Sequence, residues 1–505
     1  MTLAELAAGL NVKDSGGNQQ VSLAGLQYDS RRVEPGFLFV AIRGFKTDGH
    51  LFIGDAVARG AVAVALEEPL TAVAGAGRIP PVAWVQVDNT RRALGLLAAR
   101  FYGYPSRRLR LIGVTGTNGK TTTTHLIQAV LEAAGRPAGL LGTIGNRLGD
   151  QILPAVHTTP EALDLQVLLD RLVNLGAWGA VMEVSSHALA LHRVAGAEFD
   201  GAVFTNLTQD HLDFHRDMED YFHGKARLFQ ELGQGVKNGP KYAVINGDDP
   251  WSHRLAALTP VPVITYGCNE GVQVRAGDIH LEAGGFTCTV TWPGGATRLG
   301  LALTGHYNVY NALAAFTVAL QEGIDPGVAA AALAGVRGVP GRLEPINQGQ
   351  PFTVVVDYAH TPDGLENVLR AARQVTRGRL LVVFGCGGDR DRGKRPLMGR
   401  AAAELSDYSI VTSDNPRSEE PEAIIAAILA GVRAVPGAHY QVEADRRRAI
   451  AAAFTLAQPG DMVVIAGKGH ENYQILKDKT IPFDDRQVAR EELAALGYRG
   501  EEPAC

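Results

Sequence analysis

A glycine-rich turn that ends in a lysine, TGTNGKTT at residues 115–122, is the part of the sequence best suited to bind a nucleotide phosphate. Glycines let backbone N–H groups close on an anion at the start of a helix, and a lysine ammonium meets the outer phosphates. Apolar residues before the turn indicate a buried strand, and Leu126, Ile127 and Val130 recur at helical spacing after it. The generic pattern has a glycine where this chain has Val114. Strand, turn, lysine and helix are nevertheless in register, which predicts a phosphate loop rather than an ordinary connection.

A phosphate loop that holds a triphosphate implies a magnesium ion, which prefers hard oxygen ligands and water. Thr121 directly follows the loop lysine and offers a hydroxyl, and Glu183 ends a neighbouring strand-like run and offers a carboxylate. His211 and His215 are four residues apart, a spacing that could hold zinc on a helix. Because no cysteine or third ligand accompanies them, the pattern favours His211 beside magnesium or phosphate, or packed in the core, over a zinc site.

Lys225 occupies an unusual place in the segment YFHGKARLF at residues 221–229. Tyr221, Phe222, Leu228 and Phe229 share one helical stripe with it, so the lysine belongs to the apolar face. One interpretation is a stem packed on that face with its ammonium reaching water. The other is a lysine whose lowered pKa leaves it partly neutral and open to modification. The residues by themselves favour the first interpretation.

Four polar segments in the last third of the chain come directly after strand-like runs. They span residues 357–360, 385–392, 414–417 and 467–471. In an open parallel sheet, ligands bind in the crevice beyond the carboxyl ends of the strands. The central part of the chain repeats this arrangement around its phosphate loop, so two such rims that face each other predict an interdomain cleft.

The alternation of strand-like and helical runs predicts an α/β protein, and 505 residues allow about three domains of ~150 residues each. We predict a small N-terminal α/β domain at 1–100, a central phosphate-loop domain with a mostly parallel sheet at 101–340, and a Rossmann-like C-terminal α/β domain at 341–505. Period-two runs within 272–303 predict a small antiparallel insert. The glycine- and proline-rich segment 338–342 is the expected hinge.

Composition narrows the class of protein further. A hydrophobic share of 46% and a net charge of −5 are typical of a globular protein and argue against nucleic acid as the main partner. The N-terminus lacks a basic leader, and no run approaches the ~20 apolar residues that span a bilayer, so we expect a cytoplasmic protein without a membrane partner. The four cysteines show no metal-binding spacing, which indicates reduced thiols rather than disulfides or structural zinc.

Several further segments accompany the phosphate loop in a definite order. They read EVSSHAL, NLTQDHLDFH, YFHGKARLF, GHYNVYN, GRLE, DYAHTPD and GCGGDRDRGKRPLMG. Together they resemble, across nearly the whole chain, the Mur ligases, ATP-dependent amide-forming enzymes of peptidoglycan precursor synthesis. Within that family, DNPRSEEP and GKGHENYQ are similar to members that add meso-diaminopimelate to UDP-N-acetylmuramoyl-L-alanyl-D-glutamate. The members that add L-lysine lack an arginine at the position of Arg417.

The resemblance implies where ATP and magnesium bind. The ATP residues would be Gly116, Thr117, Asn118, Gly119, Lys120, Thr121, Thr122, Asn308, Asn311, Asp357 and His360. The magnesium ligands would be Thr121, Glu183, His211 and Lys225, the last as a carbamate formed from carbon dioxide. Lys120, Lys225, His211 and Glu183 thereby become the candidate catalytic residues, and the first interpretation of Lys225 is reversed.

The resemblance also implies the substrate contacts. The uridine end would meet Tyr28, Ser30, Phe45, Lys46 and Thr47, in two polar clusters that by themselves are more typical of solvated turns. The muramoyl-dipeptide would meet Thr158, Thr159, Ser185, Leu191 and Arg193. His157 stands where asparagine is usual, and Leu191 stands where glutamine often contacts substrate. The incoming amino acid would meet Arg390, Asp414, Asn415, Pro416, Arg417, Gly467 and Glu471.

The chemistry of the predicted amino-acid site agrees with diaminopimelate. An arginine fork meets the distal carboxylate bidentately and acidic groups take the distal ammonium, whereas L-lysine has no carboxylate there. We expect an acyl-phosphate mechanism in a monomer that uses only small-molecule substrates. The alternatives are an L-lysine-adding ligase of the same fold, a tail-chain ligase such as a folylpolyglutamate synthetase, or a non-catalytic switch driven by ATP binding.

Overall fold

The computed structural model describes residues 1–45, 47–70, 81–282 and 285–499. Lys46, predicted at the uridine end, and Cys505 lie outside these residues. Three large sheets and one short hairpin organise the described chain, and each large sheet is flanked by helices. The predicted α/β class and the three-part arrangement of sheets are therefore confirmed. No described helix combines the length and the apolar character that crossing a bilayer requires.

The N-terminal sheet has five strands. They are β1 (Val12–Gly16), β2 (Gly25–Gln27), β3 (Phe37–Val40), β4 (Ala63–Leu66) and β5 (Ala83–Val87), with helices α1 (Leu3–Ala7), α2 (Ile53–Ala58) and α3 (Thr90–Phe101). Their spatial order is β1-β5-β4-β3-β2, and only the β1–β5 pair is antiparallel. The polar clusters at 28–32 and 44–49 follow β2 and β3, which are parallel neighbours. Both clusters therefore lie at one edge of this sheet.

The central sheet has eleven strands and carries the phosphate loop. They are β6 (Arg110–Thr115), β7 (Ala138–Leu141), β8 (Asn146–Leu148), β9 (Gln151–Leu153), β10 (Gly179–Glu183), β11 (Gly201–Phe204), β12 (Tyr242–Asn246), β13 (Val263–Gly267), β14 (Val274–Glu282), β15 (Gly285–Trp292) and β16 (Gly295–Leu301). The spatial order is β16-β15-β14-β13-β12-β11-β6-β10-β7-β8-β9. Strand β6 lies between β10 and β11 and is parallel to both, so the loop after β6 opens where the strand order reverses.

Helices cover both faces of the central sheet. They are α4 (Lys120–Ala133), α5 (Ala162–Asn174), α6 (Ser186–Ala190), α7 (Met218–Gln230), α8 (Ser252–Ala257), α9 (His306–Gln321) and α10 (Pro326–Gly335). Apolar residues of α4 and α9 pack on one face and those of α5 and α7 on the other. Because both faces are covered, every residue of β10 is buried, which explains the continuous apolar run in its sequence.

Strands β14, β15 and β16 correspond to the antiparallel insert predicted within 272–303. They pair antiparallel with each other, as the period-two pattern predicts. However, β14 also pairs with β13, so the three strands extend the central sheet instead of forming a separate unit. The sequence pattern reports alternation of buried and exposed side chains, but it contains no information about the neighbour of an edge strand.

The C-terminal sheet has six strands. They are β17 (Glu344–Ile346), β18 (Thr353–Asp357), β19 (Leu380–Phe384), β20 (Tyr408–Val411), β21 (Tyr440–Val442) and β22 (Met462–Ala466), followed by the hairpin β23 (Tyr473–Ile475) and β24 (Thr480–Pro482). The helices are α11 (Pro362–Val375), α12 (Lys394–Leu405), α13 (Pro421–Val432), α14 (Arg446–Leu456) and α15 (Asp485–Ala495). The order is β17-β18-β22-β19-β20-β21, antiparallel only at β17–β18.

The four polar loops of this last unit follow β18, β19, β20 and β22. These strands are parallel and adjacent, so their carboxyl ends, and the loops after them, share one edge of the sheet. The predicted functional edge of the C-terminal unit is therefore present. The segment 338–342 leads into the C-terminal unit. Within this segment, Gly341 has φ 67° and packs so closely that an added Cβ would lie 2.3 Å from the backbone nitrogen of His470.

Candidate active site in the interdomain cleft

The turn between β6 and α4 has the backbone shape that an anion site requires. Gly116 and Gly119 have φ angles of 151° and 83°. A Cβ on Gly116 would lie 1.8 Å from Thr205 Oγ1, and one on Gly119 would lie 2.5 Å from Asn311 Oδ1. No side chain caps the first turn of α4. The first-turn N–H groups of α4 are therefore available to bind an anion without a competing side-chain acceptor.

Two lysine ammonium groups donate to one carbonyl of this loop. Gly116 O accepts from Lys120 Nζ at 2.9 Å and from Lys225 Nζ at 2.8 Å, and Lys120 also donates to Thr117 O at 2.8 Å. Lys225 is only 2% exposed, so the interpretation in which its ammonium reaches water is wrong. Burial lowers the pKa of Lys225 well below its usual range, and the nearby Lys120 charge lowers it further. Burial also lowers the pKa of Lys120.

Glu183 connects the phosphate loop with the loop after β7. Its Oε2 accepts from Thr121 Oγ1 at 3.0 Å and from Thr143 Oγ1 at 3.1 Å, and its Oε1 accepts from Thr143 N at 2.8 Å. From the C-terminal unit, Arg342 Nη2 donates to Thr121 Oγ1 at 2.9 Å. A hydroxyl and a carboxylate in contact are the oxygen donors that magnesium prefers, so these two residues fit the ion.

His211 lines the same cleft, but it does not lie on a helix, as a zinc site formed with His215 would require. Residues 211–217 are a turn before α7, and His211 has φ 58°, so His211 and His215 do not share a helix face. His211 Nε2 lies 3.3 Å from Asp210 Oδ2, and its ring centroid lies 4.6 Å from that of His187. Burial lowers the pKa of His211 well below its usual value. Neutral His211 therefore retains a lone pair for a ligand role.

The residues predicted around the nucleotide surround the loop from two sides. Asn311 Oδ1 accepts from Thr123 Oγ1 at 3.2 Å, and Asn311 Nδ2 donates to Asn308 Oδ1 at 2.9 Å. Across the cleft, Asp357 accepts from Leu343 N at 2.7 Å and from Ala359 N at 2.8 Å, and burial raises its pKa. Burial lowers the pKa of His360 to about 4. Asn311, Asp357 and His360 line the cleft, whereas Asn308 stands behind Asn311.

Most of the described residues predicted for the uridine end do not line the cleft. The Tyr28 hydroxyl donates to Asp164 Oδ2 at 2.7 Å, which ties the N-terminal unit to α5. Ser30 begins a single 3-10 turn. Thr47 O accepts from Gly44 N at 2.9 Å. Phe45 is 76% exposed and lies 6.1 Å from Phe214, ring centroid to centroid. Of these described residues, only Phe45 lines the cleft.

The residues predicted for the muramoyl-dipeptide lie together. Thr158, Ser185, Leu191 and Arg193 line the cleft, as does His157. Thr159 stands behind them, where its Oγ1 accepts from Ser185 N at 3.1 Å and donates to Glu183 O at 2.9 Å. The Arg193 guanidinium is paired with Glu161 at 2.8 Å. The two positions that depart from the family pattern are thus part of the cleft wall.

The predicted amino-acid site forms where three loops of the C-terminal sheet meet. Asn415 Nδ2 donates to Glu471 Oε2 at 2.9 Å, which joins the loops after β20 and β22. Arg417 has φ 53° and donates from Nη1 to Gly388 O at 2.7 Å. Burial lowers the pKa of Arg417, and the nearby Arg390 charge lowers it further. Two neighbouring guanidinium groups have the charge and the donors that would suit a carboxylate. Arg390 also lines the main cleft, so this site adjoins the phosphate loop.

All three units contribute to the cleft, whose volume is about 700 Å³. No individual role was predicted from the sequence for several cleft residues, namely Thr143, His187, Asn206, Phe214, Tyr307, Tyr310, Tyr358 and Arg342. Three of them, His187, Asn206 and Tyr358, nevertheless lie in segments that were predicted to rim the cleft. Thr143, which follows β7, could have been found by the rule used for the other strands. Phe214, Tyr307 and Tyr310 carry no such signal, since aromatic side chains are most often part of the core.

A carboxylate from the C-terminal unit contacts the phosphate loop directly. Asp363 Oδ2, in the first turn of α11, accepts from Asn118 Nδ2 at 2.5 Å and from Thr208 Oγ1 at 3.3 Å. Asp363→Ala is expected to lower kcat/KM about tenfold in steady-state assays, because a charge-assisted bond between the C-terminal unit and the phosphate loop is lost. Glu366→Ala, on the exposed side of the same helix, is the matched control. Equal kinetics for both variants would contradict a role in closure.

Sequence profiles of one family cover the three units. The Mur ligase family catalytic domain matches residues 22–102, the Mur ligase middle domain matches 114–319, and the Mur ligase glutamate ligase domain matches 341–469. A UDP-N-acetylmuramoyl-L-alanyl-D-glutamate--2,6-diaminopimelate ligase of Syntrophomonas wolfei is 49% identical over 493 residues, which are 98% of this chain and 99% of that protein.

Solved structures are similar over the same extent. A structure of UDP-N-acetylmuramoyl-L-alanyl-D-glutamate--2,6-diaminopimelate ligase has a TM-score of 0.67 and 35% identity, and the match covers 98% of this chain and 99% of the other. A Mycobacterium tuberculosis folylpolyglutamate synthase, complexed with ADP and AMPPCP, has a TM-score of 0.62 and 20% identity, covering 82% of this chain and 96% of the other. At that identity the second similarity concerns the fold alone.

Proposed function

The chain belongs to the Mur ligase family, and on that premise we propose that it uses ATP to join meso-diaminopimelate to UDP-N-acetylmuramoyl-L-alanyl-D-glutamate. The observation that carries the proposal is the single cleft in which Lys120 and Glu183 of one unit face Arg390 of another. This arrangement suits a reaction that first transfers a phosphoryl group and then admits an amino acid. In the L-lysine-adding alternative, the substrate has no distal carboxylate for the pair of Arg390 and Arg417 to bind.

We propose that the γ-carboxylate of D-glutamate attacks the γ-phosphorus of ATP, so that an acyl phosphate forms and ADP leaves. The amine of diaminopimelate then attacks the acyl carbon, and the tetrahedral intermediate collapses with loss of phosphate and a proton. Lys120 and the first-turn N–H groups of α4 neutralise charge on the transferring group. Contacts from Arg342 and Asp363 hold the units together and keep water from the acyl phosphate.

Thr121 and Glu183 would hold magnesium, with His211 and a carbamate on Lys225 as further ligands, and the ion would neutralise charge on the phosphates. The environment of Lys225 supports the modification. Burial beside Lys120 favours its neutral amine, whose nitrogen can bond to the carbon of carbon dioxide with loss of a proton. The product is an anion, which the neighbouring Lys120 ammonium attracts, whereas a protonated Lys225 would be repelled by the same charge.

Lys225→Ala tests this proposal for the modified lysine. We expect activity to fall about 10²- to 10³-fold, because an anionic oxygen in the cleft is lost. Added acetate or formate should restore part of the activity by placing a carboxylate where the carbamate was. Mass spectrometry of the wild-type chain under carbon dioxide, after chemical trapping, should show the modification at Lys225. Full activity of the variant without added carboxylate would refute the assignment.

The ligase itself is tested by measuring phosphate release with ATP, the UDP-linked dipeptide and one amino acid at a time. We expect release that requires both the dipeptide and meso-diaminopimelate, with an amide product detected by mass spectrometry. Equal rates with L-lysine would favour the lysine-adding alternative, and use of a folate with glutamate would favour the tail-chain ligase. Nucleotide binding without amide formation would favour the ATP-driven switch.

We further propose domain bounds of 1–100, 101–340 and 341–505, with uridine, ATP and amino acid bound chiefly by the first, second and third domain. The substrates are small molecules, and ATP and a UDP-linked precursor place the reaction in the cytoplasm. Each of the three units contributes to a complete cleft within one chain, which supports a monomer as the acting species.

A further inference from the structure

A fully buried lysine lies among the side chains proposed to bind the incoming amino acid. Lys468 is 0% exposed, and its Nζ donates to Asn415 Oδ1 at 3.0 Å, Glu471 Oε2 at 3.2 Å and Asp414 Oδ1 at 3.3 Å. One ammonium group thus contacts three residues from two loops. Because the side chain is buried beneath these residues, Lys468 contacts the walls of the site rather than its contents.

A second buried cation stands behind the same two loops. Arg446 is paired bidentately with Asp485, at 2.8 Å and 2.7 Å, and both side chains are 0% exposed. Its remaining bonds run to Ser413 O at 3.3 Å and Ala466 O at 2.9 Å. These carbonyls directly precede Asp414 and Gly467. Arg446 therefore links the backbone at the start of the loop after β20 to the backbone at the start of the loop after β22.

The charges explain why this site needs an internal cation. Asp414 and Glu471 both reach the same ammonium group, so the two carboxylates would repel each other strongly if Lys468 were absent. Burial raises the pKa of Glu471, and the Lys468 charge opposes that rise. Within the described chain, no hydrogen bond reaches Asp414 Oδ2 or Glu471 Oε1. One oxygen of each acid therefore remains available to a ligand.

We infer that Lys468, supported by Arg446, is a positioning residue for the amino-acid site. It holds Asp414, Asn415 and Glu471 in one arrangement, in which the free carboxylate oxygens meet the distal ammonium of diaminopimelate while Arg390 and Arg417 meet its carboxylate. The inference rests on the proposed function and assigns the two buried cations a part in amino-acid recognition. A misplacement of about 1 Å in such a site costs about 100-fold in rate or affinity.

The experiment separates the amino-acid step from the ATP step. Hydroxylamine attacks the acyl carbon of the acyl phosphate and displaces phosphate, so hydroxamate formation reports the first step without any amino acid. For Lys468→Met, the KM for diaminopimelate should rise about 100-fold, while hydroxamate formation stays within about twofold of wild type. Lys477→Met, in an exposed pair with Glu420, is the matched control and should leave both quantities unchanged.

A second variant keeps the test decisive if Lys468→Met does not fold. Replacement of a buried ion pair by apolar residues of similar size is often neutral for stability, so Arg446→Met/Asp485→Leu should fold. The double variant should raise the KM for diaminopimelate about tenfold and retain hydroxamate formation, because the loops lose the Arg446 bonds to Ser413 O and Ala466 O. Arg447→Met, one residue along the helix and exposed, is its control.

The outcomes are distinguishable. An unchanged KM for diaminopimelate in a folded variant would overturn the positioning role. Equal losses in kcat and in hydroxamate formation would overturn it as well. If the wild-type protein forms no hydroxamate from the UDP-linked dipeptide and ATP, the proposed function itself fails and the role of Lys468 does not arise.

Discussion

Lys120→Ala should abolish measurable ADP release, with a fall in kcat of about 10³-fold or more. The lysine begins α4 at the mouth of the phosphate loop, where its ammonium donates to the carbonyls of Gly116 and Thr117. No backbone group can supply a full positive charge at this point as the phosphoryl group moves. A coupled assay for ADP, run with saturating UDP-linked dipeptide and diaminopimelate, measures the effect.

Lys225→Ala is the matched control for this prediction, because both ammonium groups donate to the same carbonyl, Gly116 O. Short carboxylates should restore part of the activity of Lys225→Ala but none of the activity of Lys120→Ala. The two variants should differ because Lys120 acts as a cation, whereas Lys225 is proposed to carry the anionic carbamate. Retained turnover in Lys120→Ala would remove the phosphate loop from the mechanism.

Arg417→Met should lower kcat/KM for meso-diaminopimelate by about 10³- to 10⁴-fold and leave the KM for ATP unchanged. The arginine has a left-handed backbone, and its side chain makes one bond, to Gly388 O, among the described residues, so the rest of its fork can bind a ligand carboxylate. With L-lysine in the site, the Arg417 guanidinium would lack its carboxylate partner. The bond to Gly388 reduces that penalty, because part of the guanidinium keeps a partner without substrate.

Competition between meso-diaminopimelate and L-lysine measures the preference directly. Arg417→Lys retains the charge but loses the fork, so it should show most of the loss seen in Arg417→Met. Arg392→Met, an exposed neighbour paired with Glu419, should behave as wild type. If Arg417→Met keeps the wild-type preference, then selectivity for the distal carboxylate resides in another residue, and Arg390 is the next candidate.

Local sequence was sufficient to predict the elements that carry the chemistry. The phosphate loop, the strand endings at Glu183 and Asp357 and the loop at Asp414 were predicted from short patterns, because a buried parallel strand and the polar loop after it are consecutive in sequence. The order of motifs along the chain was sufficient to recognise the family. Periodicity also predicted α7 and the apolar surroundings of Lys225, since helical spacing is a local property.

Only the tertiary structure decided which charges meet. That Lys120 and Lys225 share one carbonyl, that Asp363 contacts the phosphate loop, and that Lys468 lies beneath Asp414 and Glu471 depends on chain segments far apart in sequence. The same holds for the joining of β14 to the central sheet. Burial determines whether a lysine is solvated or neutral, and burial is a sum over neighbours from the whole fold. The sequence by itself therefore determined the reactive groups and their strands, whereas packing determined their partners and thus their protonation.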